Sequence, residues 1–362
     1  MPRSTIIYLL IIIFFFSLHQ KYFGFFSDTT KIKIGILPSA FYTPETRLGF
    51  GALAYTYFNS TKKNTFTKKS NTQSYLSYTL NKQFSFENDY QIWTKKNAYY
   101  FTGAIDYSRF PELFFGIGND TKPSDNMMIS FDVAKIQAKN LSRISKNIYG
   151  GIYYQYQNLF NQNTKLEYSA MCESITGGSG YEASGIGPIF IFDKRDNPLN
   201  PEKGVYIETS FQYFDKQIGS QYKFNTFVLD VRKYNTFLKK LVWNANAYIY
   251  VNNGTVPYRM LATIGGARFL RGYYRGRFRD NNMIVLQQEF RMPIYKRIGV
   301  AVFGGVGAVA NALTDFYKNE IHYNYGAGLR IKVNKKENTN LRIDYGFTKD
   351  SQGLYVVFAE AF

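Results

Sequence analysis

The chain has 362 residues and a net charge of +18; 45% of its residues are hydrophobic, and Phe, Tyr and Trp make up 19%. Beyond the N-terminal stretch no apolar run approaches the roughly 20 residues that a membrane-spanning helix needs, which excludes a helical membrane protein. Cys172 is the only cysteine, which excludes a disulfide framework, and the scattered Lys and Arg speak for anionic headgroups or simple compositional bias rather than nucleic acid.

In chain order, Arg3 precedes an uninterrupted apolar stretch from Ile6 to Phe16, and the chain turns polar at His19, Gln20 and Lys21. This pattern predicts a Sec signal peptide over residues 1–26, with cleavage anywhere between Ser17 and Asp28, followed by a short periplasmic lead-in over 27–46. From Arg47 to Phe362 short alternating segments are separated by turns rich in Gly, Asn, Asp and Lys. Ile321, Tyr323, Tyr325, Ala327, Leu329, Ile331 and Val333 share one face, while His322, Asn324, Gly326, Gly328, Arg330 and Lys332 share the other. Strands are predicted near 47–59, 73–82, 84–95, 97–108, 125–138, 147–160, 165–173, 181–194, 203–215, 221–234, 240–252, 282–292, 298–310, 321–332, 339–347 and 353–362.

These sixteen segments imply an all-β fold, a transmembrane antiparallel β-barrel occupying 47–362, in which an even strand count brings both ends to the periplasmic side. The 32 Tyr and 33 Phe suit two interfacial girdles. The connection 253–281 is expected on the outer face, and the turns Asn161–Thr164 and Pro293–Arg297 on the periplasmic face. A soluble β-sandwich is the alternative, and it requires apolar inner faces covered by a second sheet. The last segment speaks against it: Leu354, Val356, Phe358 and Phe362 share a face, and the chain stops on an aromatic residue.

The most specific stretch runs Gly265-Gly266-Ala267-Arg268-Phe269-Leu270-Arg271-Gly272-Tyr273, with Arg275, Arg277 and Arg279 behind it. A cation at a tight loop apex can be held inside a polar lumen by wall carboxylates, and a neighbouring glycine lets the backbone reverse. Gln288-Glu289-Phe290-Arg291-Met292-Pro293 and Phe303-Gly304-Gly305-Val306-Gly307 follow, and Asp193-Lys194-Arg195-Asp196 with Pro198, Pro201 and Gly204 precedes. In this order the motifs resemble the BamA/TamA family of outer-membrane proteins, the bacterial surface antigen barrels, in a short form without POTRA modules.

The resemblance implies a long extracellular loop folded into the lumen, with Leu270, Arg271, Gly272 and Tyr273 at its tip and Glu289 as the wall partner of Arg271. The family's F-x-D-x-G wall motif corresponds to Phe303, Gly305 and Gly307, so its acid is missing, and the loop is either held less firmly or held by another acid. Asp193, Arg195, Asp196, Pro201 and Gly204 correspond to a periplasmic turn, where proline and glycine fix the reversal. Pro38 and the run 42–46 before Gly49 and Gly51 look like the approach to the first strand of short members. Phe358 and Phe362 resemble a C-terminal assembly signal.

A barrel resembling this family, in the bacterial outer membrane, is expected to assist insertion or export of proteins through a seam between its first and last strands. The span before the first strand is too short for a POTRA module, so accessory proteins of the periplasm or outer membrane are expected to stand in for it. Other expected partners are outer-membrane lipid, lipopolysaccharide and unfolded barrel clients. The alternative is a stand-alone pore or structural barrel subunit of an envelope complex, with Arg271 and Glu289 an ordinary lumenal ion pair. Arg275, Arg277 and Arg279 suit either lipopolysaccharide or a solvated loop face. No enzyme, cofactor or metal site is expected: His322 is the only histidine past the leader, and the glycines at 304–307 lack the Lys-Ser/Thr of a phosphate-binding loop.

Overall fold

A computed structural model describes residues 32–43, 47–58, 67–109, 111–164, 173–237, 240–334, 338–358 and 360–362. The expected leader lies outside the described residues. Among them the strands are β1 (Ile32–Thr43), β2 (Arg47–Phe58), β3 (Ser70–Thr79), β4 (Phe84–Trp93), β5 (Tyr99–Arg109) and β6 (Glu112–Phe114). Next come β7 (Met127–Ser145), β8 (Ile148–Thr164), β9 (Tyr181–Asp193), β10 (Gly204–Phe214), β11 (Phe224–Phe237) and β12 (Leu241–Gly254). The last are β13 (Ala262–Ile264), β14 (Phe278–Asp280), β15 (Asn282–Tyr295), β16 (Ile298–Ala310), β17 (His322–Asn334), β18 (Thr339–Thr348) and β19 (Gln352–Phe358).

Each long strand pairs antiparallel with the next, β5 passing to β7 and β12 to β15, so that sixteen strands make one meander among the described residues. β6 pairs beside β7, while β13 and β14 form a separate ribbon. The two ends of the meander meet, with Cα atoms of β1 and β19 within 8 Å, which curls the sheet into a barrel.

Burial is inverted relative to a soluble protein. On β15 Leu286 is 52% exposed and Glu289 only 2%; on β17 Tyr325 is 58% exposed and Arg330 only 4%. Because successive residues of a strand face opposite sides, this pattern puts apolar side chains outside and charges inside, as a wall between lipid and a polar lumen requires. The soluble β-sandwich, which buries its apolar face, fails on this point. No helix among the described residues is long and apolar enough to cross a membrane.

The strand count matches expectation through two offsetting differences. Residues 32–43, expected as lead-in, form β1 and pair along their whole length with β2. The signal was present in Ile32, Ile34 and Ile36 alternating with Lys33 and Gly35. The strand expected at 165–173 is not interposed in the wall, since β8 pairs directly with β9, Leu159 opposite Tyr181; residues 165–172 lie outside the described residues. One missed strand and one surplus strand leave the total even but invert the direction of everything between them. Asn161–Thr164 accordingly belongs to β8 and lies at the loop end of the barrel, not at the short-turn end. Pro293–Arg297 does lie at the short-turn end, where residues 296 and 297 join β15 to β16.

Candidate functional site

The chain between β12 and β15, residues 255–281, turns inward. Its root is apolar: Tyr258, Met260 and Leu261 pack with Phe114, Phe131 and Phe224 near the loop end of the wall. β13 and β14 then form a short ribbon, Ala262 opposite Asp280 and Ile264 opposite Phe278, that carries the tip down the lumen. At the tip Leu270 adopts a left-handed conformation, φ 49°, with its side chain fully buried among Ile264, Tyr273, Phe278, Met283, Val285 and Val309. That conformation costs a branched residue about 1–2 kcal/mol, while burying a leucine returns about 1.5–3 kcal/mol, so packing holds the turn. Leu270→Ala should therefore lower stability by about 2–5 kcal/mol. The readout is the temperature at which the folded band converts in heat-modifiable gel electrophoresis; an unchanged temperature would show that the tip is not held by packing.

Arg271 is 1% exposed and is gripped from two sides. Its Nη2 lies 2.8 Å from Glu289 Oε2 on β15, its Nη1 lies 2.5 Å from Asp344 Oδ2 on β18, and the guanidinium sits 3.4 Å from the centroid of the Phe303 ring on β16. The tip backbone is held as well. Asn324 Nδ2 on β17 donates to Arg271 O at 2.8 Å, Gly272 N donates to Tyr355 Oη on β19 at 3.1 Å, and Tyr355 Oη donates to Tyr273 O at 3.0 Å. Gly272 has φ +121°, and a Cβ on facing Gly346 would lie 2.3 Å from Arg271 O, so the approach needs glycine on both sides. Each of the last five wall strands thus contributes at least one residue to the tip.

The second wall acid is Asp344, which sequence reasoning missed. Gly305, where the family motif has its acid, faces Leu270: a Cβ there would lie 3.0 Å from Leu270 Cδ2 and 2.7 Å from Gln287 Cβ. The space an acid would enter is taken by the tip's own leucine, and the carboxylate comes from β18 instead. Gly307, also in that motif, faces Val285 and Ile264.

Around Arg271 the network widens. Arg330 reaches Asp344 Oδ1 at 2.6 Å and Glu289 Oε1 at 3.1 Å, and its Nε lies 2.8 Å from Glu360 Oε2. Arg342 Nη1 lies 2.8 Å from Asp344 Oδ2, and Arg291 Nη1 lies 3.3 Å from Glu360 Oε2. Four guanidiniums therefore share three carboxylates with almost no solvent. Such a network adds little net stability when intact but is costly to break, because each removal strands a buried charge.

The turn motif joins it from below. Asp193 accepts from Arg195 N at 3.1 Å and Nε at 2.9 Å, and Asp196 Oδ1 accepts from the backbone of Asn197, Glu202 and Lys203. Gly204, with φ +115°, starts β10, and Pro201 O accepts from Arg291 Nη2 at 2.5 Å. Of the C-terminal pair, Phe358 ends the β19 ladder opposite Leu341, and Phe362 is 6% exposed. The strand expected through 362 thus ends earlier.

Two of the three trailing arginines are buried, which removes them from any outer surface. Arg277 donates to Thr121 Oγ1 at 2.7 Å, and Arg279 donates to Tyr258 O at 3.1 Å and pairs with Glu112, as does Arg259. Only Arg275 is exposed. His322 is buried too, stacked on Phe278 at 3.6 Å with Nε2 3.1 Å from Asn119 O.

Beside the loop a lumenal cavity of about 470 Å³ is lined by Lys139, Glu208, Asp230, Arg232 and Tyr248, among others. Its loop end meets the apolar cluster around Met260 and Leu261, and its turn end meets a cluster built on Trp93, Tyr149 and Tyr153.

A barrel of this kind, with charges inside and an arginine-tipped loop seated in its lumen, is a loop-plugged barrel of outer-membrane type. The Omp85 superfamily domain matches residues 41–358, and the chain belongs to that superfamily. Among solved structures its fold is similar to BamA from Haemophilus ducreyi lacking POTRA domains 1–3, with a TM-score of 0.59 at 14% identity over 91% of this chain and 70% of that one. It is similar also to CdiB from Escherichia coli, TM-score 0.63 at 10% identity over 92% and 63%, and to CdiB from Acinetobacter baumannii, 0.56 at 13% over 90% and 60%. The chain spans less than two thirds of either CdiB chain. No curated protein matches it in sequence.

Proposed function

We propose that this protein sits in the outer membrane and assists insertion or export of other proteins, with accessory partners, through the seam between β1 and β19, while the loop tip braces the last-strand side of that seam. The observation that carries this reading is the clamp: Glu289, Phe303, Asn324, Asp344 and Tyr355 place one tip contact on each of β15 to β19. Strand β19 is short, with seven pairs to β18 against twelve between β1 and β2. A short terminal strand is the part of a wall that separates at least cost, and a freed edge offers its unpaired backbone groups to an incoming strand. The loop seated in the lumen and held to the wall supports a plugged resting state over a standing open pore.

The seam to be tested is β1 with β19; the segment 47–59, expected as the first strand, is the second. Cysteine pairs with one member in 32–43 and one in 352–358, in a Cys172→Ser background, lock it on oxidation. Locked protein should lose its effect on the levels of folded outer-membrane proteins or exported clients and regain it on reduction. Undiminished activity in the locked state would sink the reading and leave a static barrel subunit.

A further inference from the structure

Glu360 has no part in the motifs that led to the loop, yet its carboxylate is among the most deeply placed in the barrel. It lies beyond the last described rung of the β18–β19 ladder, Leu341 opposite Phe358, and is not itself part of a strand. Its side chain is nevertheless 2% exposed. Oε2 lies 2.8 Å from Arg330 Nε and 3.3 Å from Arg291 Nη1, and Oε1 accepts from Asn340 Nδ2 at 2.7 Å. Arg330 carries the connection onward: the guanidinium that binds Glu360 also binds Asp344 and Glu289, the two acids that hold Arg271.

We infer that Glu360 is a positioning residue that latches the end of the last strand to the anchor of the loop tip, so that release of the tail and release of the tip are energetically coupled. The physical basis is charge balance in a dry site. With Glu360 in place, three carboxylates face four guanidiniums. When the tail withdraws, two carboxylates face four, and Arg330 and Arg291 are left beside each other and beside Arg271 with less compensation. The cheapest response is for the tip, which carries one of the four cations on a loop, to leave as well. The reverse holds by linkage: withdrawing Arg271 frees Asp344 and Glu289 to take more of Arg330, which weakens its hold on Glu360. In the seam reading this joins the plug to the gate, and the inference rests on that reading for its purpose but not for its test.

The test is hydrogen exchange followed by mass spectrometry on the full-length protein in lipid nanodiscs. Glu360→Gln should raise exchange in 355–362 and also at the tip, 268–273, where the Gly272 amide is bonded to Tyr355; Arg271→Ala should raise exchange at the tip and also in the tail. Coupling of this kind corresponds to roughly five- to hundredfold in each direction. Glu360→Asp, which keeps the charge on a shorter arm, should restore part of the protection at both places. If Glu360→Gln fails to fold, Asn340→Ala, which removes one hydrogen bond to the same carboxylate and no charge, should give the same paired response at smaller amplitude. Faster exchange in the tail alone, with the tip unchanged, overturns the latch. The readout needs no client: a coupled latch with an inactive seam would refute the proposed function alone, and an active seam with uncoupled exchange would refute the latch alone.

Discussion

Arg271→Glu should give the largest loss of stability of any single change in the loop, with little of the protein reaching the heat-modifiable folded form. Deleting the cation would already leave Glu289 and Asp344 short of a partner in a site where Arg271 is 1% exposed, and breaking a buried pair costs about 3–5 kcal/mol. Reversal adds a third carboxylate between them. Arg271→Lys should retain only part of the stability, because one ammonium cannot span two acids as the guanidinium fork does, and it stacks less well on Phe303. The reciprocal change at Glu289 should fail to rescue. Arg330 lies 3.1 Å and Arg291 3.9 Å from Glu289 Oε1, so Glu289→Arg would set a guanidinium against two others. Band-shift temperatures of both single variants and the double variant decide this; full rescue would mean that Arg271 and Glu289 form an isolated pair.

That failure of rescue marks where the sequence stops being informative. Alternation is a local property, so the barrel was legible from Leu286, Tyr325 and their neighbours, whose outward faces are apolar whatever the register. The count of strands is a sum over local decisions, and the alternating Ile32, Ile34 and Ile36 were passed over because they stand next to the leader. The surplus strand at 165–173 made up the number. In the site, Arg271 and Glu289 were legible because each stands in a motif. Asp344 and Glu360 were not, because each is an acid of ordinary appearance whose importance comes from strand β18 and the tail beyond β19 delivering the two to the same guanidinium, that of Arg330. A lumen-facing Arg342 and Asp344 between Leu341, Ile343 and Tyr345 did signal a charged inner face, but no spacing along the chain says which cation such an acid meets 73 residues away. The arginines after the tip erred in the other direction. Arg277 and Arg279 look like a basic surface, and their burial depends on Thr121 and Glu112 from a different loop.

Restoring the family's acid should harm this barrel: Gly305→Asp is expected to destabilise it by about 3–5 kcal/mol, the sum of overpacking and lost leucine burial. Charge alone points the other way, since a fourth carboxylate would balance the four guanidiniums. Sterics outweighs it. A Cβ at 305 would already stand 3.0 Å from Leu270 Cδ2, and the carboxylate beyond it would push that side chain out of its cluster, while a buried ion pair returns close to nothing once desolvation is counted. The two explanations separate in a double variant. With Leu270→Ala the obstruction is gone, so Gly305→Asp added to Leu270→Ala should cost little or even restore stability, a departure from additivity of the kind that contacting residues show. If Gly305→Asp lowers the band-shift temperature equally in both backgrounds, Leu270 is not what excludes the acid. The closeness of Leu270 to Gly305 would then be a coincidence of packing rather than the reason β16 carries no acid at this position.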